Sequence, residues 1–166
     1  MDPAIDLTVD HARQLLRHTV ATLAYRGGKT LRGAPDSFAD FQVREGTRTP
    51  AQILAHIGDL MDWACSQAKG AEEWHSSAPL PWPHEVDRFF AAVKAFDDYL
   101  ASQAPLETLT ERLFQGAVAD ALTHVGQLAM LRRLASSPVK GENYARAEIE
   151  AGRVSPERTP PRREFD

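Results

Sequence analysis

The chain has little of several things, and each shortage excludes a class. A single cysteine, Cys65, among 166 residues rules out an intramolecular disulfide framework. The fold must rest on its apolar core, and a reducing compartment is expected. No run approaches the roughly 20 apolar residues of a membrane span. The N-terminal stretch MDPAIDLTVDHARQLL meets charge before any apolar segment and does not read as a signal peptide. A cytoplasmic protein with no membrane partner is expected. There is no excess of basic charge: 19 Lys and Arg stand against 23 Asp and Glu, a net charge of −4, which argues against nucleic acid as a partner. The cluster Arg158, Arg162, Arg163 lies in a Pro-rich tail and reads as solvation or local pairing. No strand alternation, internal repeat or nucleophile-elbow motif is present.

What the chain has is helical periodicity. Apolar residues at helical spacing predict a first helix over 6–25, ended by Gly27-Gly28. A long loop over 27–48 follows, in which Phe38 and Phe41 either tuck over a pocket or anchor a surface excursion. Thr49-Pro50-Ala51-Gln52 is a helix start with a capping box and Pro at the first helical position, so a second helix runs to about Ala68, with Gly70 as its stop. Residues 69–83 form a turn-rich connection with three prolines, where Trp74 and Trp82 line a pocket rim or pack the loop. A third helix spans about 84–102, its seam of Val86, Phe89, Phe90, Val93, Phe96 and Leu100 carrying no ligand-type residue. The last long helix runs from Leu106 or Leu109 to Ser136, and a short helix is expected over 142–151, ended by Gly152. The expectation is one all-α domain over 1–166: a four-helix bundle over about 6–136, then a short C-terminal helix and an extended tail over 138–166.

The chemistry concentrates in two seams. In the segment AVADALTHVGQLAMLRR, beginning at Ala117, the positions Leu113, Ala117, Asp120, His124, Gln127 and Leu131 are spaced alternately by four and three and share one stripe. Val118, Ala121, Leu122, Val125, Leu128 and Ala129 make a second, apolar stripe. The polar stripe is bracketed by leucines and is expected to face inward, where a carboxylate needs a partner or a metal. Asp120 and His124 stand one turn apart. The second helix has its own seam, Ile53, His56, Leu60, Trp63 and Gln67, which puts His56 between apolar residues. Two helices each placing nitrogen or oxygen ligands mid-seam meet the requirement of a bundle-core metal site. His56, Asp120 and His124 are thus candidate ligands for Zn, Ni, Fe(II), Mn or Co, with one side left open; these residue types do not select among the metals, and Zn or Ni is the expectation favoured over Fe or Mn. A hydrogen-bonded triad without metal is the alternative. Asp59 is placed either to hold the other ring nitrogen of His56 or to be solvated. Gln127 is placed to support His124, and Trp63 to line the pocket.

Other signals are weaker. Cys65, nine residues from His56, points to the opposite helix face and reads as packing. Glu72-x-x-His75 has the spacing of a di-iron half-motif but lacks its second copy. His11 and His18 share a face, either near the site or on the surface. Arg132, Arg133 and Lys140 either meet a cofactor carboxylate or form a helix-end charge cluster.

The pattern T-P-A-Q-I-L-A-H-I-G-D-L-M-D-W around His56 resembles the second helix of the DinB/YfiT-like superfamily, and A-D-A-L-T-H-V-G-Q-L-A-M-L-R-R-L around His124 resembles its fourth. The likeness covers roughly residues 7–150. It implies an up-down-down-up four-helix bundle, a homodimer, and a divalent metal held by three histidines, one on helix two and two at i, i+4 on helix four. His56 matches the first and His124 the last, while Asp120 stands at the middle position. The substitution keeps a metal-competent ligand but adds a negative charge, so bound water should be less acidic than at an all-histidine site. Relatives in that superfamily include thiol S-transferases and a maleylpyruvate isomerase that use low-molecular-weight thiols. The resemblance therefore implies a metal-dependent enzyme, with a thiol cofactor possible and metal-dependent hydrolysis as a variant. A non-catalytic dimeric bundle, stress-related or regulatory, is the competing reading. The small-molecule substrate is not encoded in any motif.

Overall fold

The computed structural model describes residues 7–102, 104–157 and 159–165. The expected helix start at Asp6 and the Arg158 member of the tail cluster lie outside the described residues. Four long helices carry the fold: α1 (Leu7–Leu31), α2 (Pro50–Ala68), α3 (Trp82–Ala101), and α4, in which Thr110–Leu113, a π-helical stretch Phe114–Val118 and Ala119–Leu134 follow one another without a break. Among the described residues, no helix is long and apolar enough to cross a membrane.

The helix α1 does not end at Gly27-Gly28. It continues one more turn because those glycines serve packing: a Cβ on Gly27 would sit 2.7 Å from the Phe89 ring, and one on Gly28 would sit 3.2 Å from Phe90. The left-handed stop comes at Gly33, with φ +68°. The following loop is shorter than expected and holds a 3-10 turn, Asp36–Asp40, whose Phe38 is buried edge-on against Trp82. The ring therefore anchors the loop to the core. At the start of α2, the Thr49 hydroxyl accepts from the Gln52 amide and the Gln52 side chain accepts from the Thr49 amide, closing the capping box.

Residue pairs set the helix directions. Arg17 meets Asp97, and Arg13 reaches the carbonyls of Ser102 and Ala104, so α1 and α3 run antiparallel. Arg88 reaches the Ala55 carbonyl, and Cys65 lies against the Ala95 carbonyl, so α2 and α3 run in the same direction. His56 faces His124 while Trp63 faces Gly116, so α2 and α4 are antiparallel. The parallel pair explains the connection over 69–81. An α2 of 19 residues is about 28 Å long, and roughly nine extended residues are needed to return along it. The chain does return along α2 as an extended strap. The Glu73 amide donates to Ser66 and the Ser77 amide to Asp59. Between the helices, Leu54, Ile57, Met61, Phe89, Phe96, Leu113 and Leu128 are essentially sealed from solvent.

The expected short helix over 142–151 is absent. Gly141–Glu142 instead pairs antiparallel with Glu164–Phe165, followed by a single 3-10 turn at Tyr144–Arg146. Tertiary contacts override local helix propensity here. The buried Glu142 carboxylate accepts from the Tyr25 hydroxyl at 2.6 Å and from Lys29 at 2.7 Å, and Lys29 also bonds Glu164. Burial alone would lower the Lys29 ammonium, but its two carboxylate partners outweigh that and raise it.

Candidate metal centre

The antiparallel register of α2 and α4 brings the two ligand seams face to face. One oxygen of Asp120 lies 3.6 Å from Nε2 of His56, and the other lies 3.6 Å from Nε2 of His124. One ligand atom from each of the three residues falls within 4.8 Å of the others. These separations are long for hydrogen bonds. They suit ligands around an ion: two donors each about 2.1 Å from a tetrahedral ion stand about 3.4 Å apart.

The ring of His124 is oriented from behind. Its Nδ1 lies 2.7 Å from the Gln127 side-chain carbonyl oxygen, which can only accept, so Nδ1 carries the proton and Nε2 keeps its lone pair toward Asp120. The imidazole of His56 is held in its neutral, ligand-competent form. Burial lowers its pKa first, the neighbouring His124 imidazole and the Arg48 guanidinium lower it further, and Asp120 only partly opposes them. Arg48 carried no signal in the sequence; it stands just before the cap of α2 and acts across the first turns of that helix.

Exposure is graded. The side chains of His124 and His56 are 12% and 23% exposed, but that of Asp120 is 49% exposed. Asp120 therefore stands at the mouth of the site and not in a sealed core, which corrects the expectation of an inward-facing carboxylate. The π-helical stretch ends just before it, and one extra residue in the turn resets the stripe so that Ala117 and Val118 are buried while Asp120 reaches the rim. From Asp120 a shallow cleft of about 430 Å³ opens between α2 and α4, lined by Leu60, Trp63, Gln115, Gly116, Ala119 and Thr123. Trp63 thus lines the cleft beside the candidate ligands.

Trp74 belongs here too. Its ring packs edge-on against His56 at 5.7 Å and against Trp63 at 5.8 Å, whereas Trp82 is buried in the core. The strap over 69–81 delivers Trp74, and Asp59 fixes the strap. Asp59 neither holds His56 nor faces solvent. It is 2% exposed and accepts from the Ser77 amide, the Ser77 hydroxyl and Arg88. Three residues on from His56, it leans toward α3 and not toward the ring. Burial alone would raise its carboxyl, but the Ser77 and Arg88 hydrogen bonds outweigh that and hold it below the usual range.

The remaining candidates are structural. Arg132 is buried and bonds the carbonyls of Thr30, Arg32 and Ser137, tying the ends of α1 and α4 together, so it is not placed to meet a cofactor. Arg133 and Lys140 are exposed, as are His11 and His18. Glu72 accepts from the Trp63 indole, and His75 lies 3.8 Å from Glu73. Cys65 is buried against α3. Comparisons with protein-family models, with characterised proteins and with solved structures find no match to this chain.

Proposed function

We propose that this protein is a DinB/YfiT-like divalent-metal protein and a metal-dependent enzyme of the thiol S-transferase, isomerase or hydrolase type. The observation that carries the reading is the approach of His56, Asp120 and His124 within 4.8 Å, with separations that suit an ion. The helix directions support it, since α1 opposes α3, α2 parallels α3 and α2 opposes α4, as an up-down-down-up bundle requires. His56 and His124 would bind through Nε2 and Asp120 through its carboxylate, with Gln127 holding the His124 ring. A bound Zn or Ni ion, or Fe or Mn, would lower the pKa of a water or thiol on its open side. Three protein ligands and a half-exposed carboxylate leave that side accessible, whereas structural zinc sites are closed by four. Arg48 adds positive charge near His56, and Asp120 offsets one unit of the ion's charge.

A homodimer belongs to the same reading. A groove of about 680 Å³ between α1 and the start of α4 is rimmed by exposed Leu15 and Phe114, and this is the face we assign to the second copy. A cytoplasmic location accords with the lone, buried cysteine.

Elemental analysis of protein purified without a metal-affinity tag, beside Asp120→Ala and His124→Ala, tests the metal. Near-stoichiometric metal in the wild type, lost in both variants, is expected. The second reading, a non-catalytic dimer with a metal-free cluster, draws on the central position of Asp120, from which it can pair with either imidazole when protonated. It requires that wild type neither carry nor take up metal, and that chelator leave its Tm unchanged.

A further inference from the structure

The lining of the cleft beyond Asp120 is more specific than a metal site requires. The cleft is lined by apolar Leu60, Gly116 and Ala119, by the Trp63 indole, and by the neutral polar side chains of Gln115 and Thr123. Among the described residues, Asp120 is the only charged one in this lining, and none of them is a cation awaiting a second anionic group.

Both indoles are held in place. The Trp63 indole N–H donates to Glu72 at 3.0 Å, and that of Trp74 donates to Ser76 at 3.1 Å. The rings stand at 89° to each other, and Trp74 also packs on His56. Yet Trp74 stays 46% exposed. An indole already ordered by its N–H, standing beside a metal site with open surface, can meet a flat ligand without a further ordering cost. Gly116 points the same way. A Cβ there would lie 3.7 Å from Trp63, an ordinary contact, so packing does not demand glycine. A larger side chain would instead occupy the cleft, and glycine inside a helix is otherwise unfavourable.

We infer that the open side of the His56–Asp120–His124 site takes a small ligand in which a metal-binding donor head is joined to a flat, uncharged, apolar body that lies in the cleft against Trp63, whose ring Trp74 braces. This rests on the metal-site reading above and adds the class of ligand. The head would take the open side of a bound ion, and the body would cover Leu60 and Gly116 and lie on the Trp63 indole.

The test uses full-length protein loaded with Zn²⁺ and a matched pair of probes, benzohydroxamate and acetohydroxamate, which share a donor head and differ in the flat body. Calorimetric titration should give benzohydroxamate an advantage of about tenfold. Trp63→Ala should reduce that advantage to about twofold or less. Trp63→Phe should keep most of it. Trp74→Ala, on the exposed strap, should reduce it without touching the helix core, and Gly116→Leu should block benzohydroxamate alone. Equal affinity of the wild type for both probes, or an advantage unchanged in both Trp→Ala variants, overturns the ligand class and leaves the metal reading standing. A wild type that takes up no zinc overturns both.

Discussion

The Gln127 carbonyl accepts the Nδ1 proton of His124 at 2.7 Å, and this one bond decides which ring nitrogen is left to bind an ion. Replacing Gln127 by Leu removes the orienting partner without touching a ligand. Metal affinity should fall roughly 10- to 100-fold, with the Tm of the metal-free protein little changed. Competition against a chromophoric chelator measures this. An unchanged affinity would mean that the ring is positioned by packing alone.

Asp120 sets the charge of the site. Asp120→Ala should abolish stoichiometric metal, because two imidazoles remain from a three-ligand set. Asp120→His should restore binding and remove one negative charge, so water on the ion becomes more acidic. With Co²⁺ as a spectroscopic probe, the absorption change that accompanies deprotonation should move to lower pH in Asp120→His. A shift to higher pH would contradict the charge argument.

His56 makes stability depend on pH in the metal-free protein. Burial, the neighbouring His124 imidazole and the Arg48 guanidinium lower its pKa below the ordinary value of about 6.5. The unfolded chain then binds the proton more readily than the folded one. Stability is full above the unfolded value and is lost as pH falls through about 6.5 toward the folded pKa. In His56→Gln that slope should flatten. Urea midpoints of chelator-treated protein between about pH 5 and about pH 8 test it, and parallel profiles for the two proteins would refute it.

The Asp59–Arg88 pair holds the strap and, through it, Trp74. Asp59→Asn leaves the partly buried Arg88 guanidinium, which keeps Glu85 and the Ala55 carbonyl, short of one charged partner and should cost about 2 kcal/mol in urea unfolding. Proteolysis within 69–81 should become faster. Because the folded carboxyl is depressed, its stabilisation is present above the unfolded pKa of about 3.9 and is lost as pH falls through the lower folded value. That component of acid denaturation should disappear in Asp59→Asn. Wild-type stability and strap protection in the variant would show that the network is dispensable.

Leu15 and Phe114 test the assembly. Leu15→Glu or Phe114→Glu places a charge on the α1–α4 groove and should convert a dimer to a monomer in light scattering, with helicity retained. A wild type that is already monomeric removes the dimer from the functional reading.

The helical seams were legible because helix formation and capping are local. The capping box at Thr49 and Gln52 depends on residues three apart, and the clustering of Asp120, His124 and Gln127 follows from spacings of three and four. Gly27-Gly28 misled for the opposite reason. Glycine ends a helix when it supplies a left-handed turn, but here its missing Cβ admits Phe89 and Phe90 from a distant helix. The segment 142–151 has a helix-compatible composition, and its fate was decided by Tyr25 and Lys29, more than 110 residues away in sequence.

The sequence by itself therefore determined the all-α class, the boundaries of α2 and α3 to within about two residues, and the three ligand-type residues with the support of His124. Only the tertiary structure decided that α2 opposes α4, so that His56 meets Asp120 and His124, that Asp59 serves the strap, that Asp120 sits at a mouth, and that Trp74 comes to rest on His56. Periodicity records which face of a helix is buried. Which helix covers that face, and in which direction it runs, depends on contacts between residues far apart in the chain, and no short-range pattern encodes them.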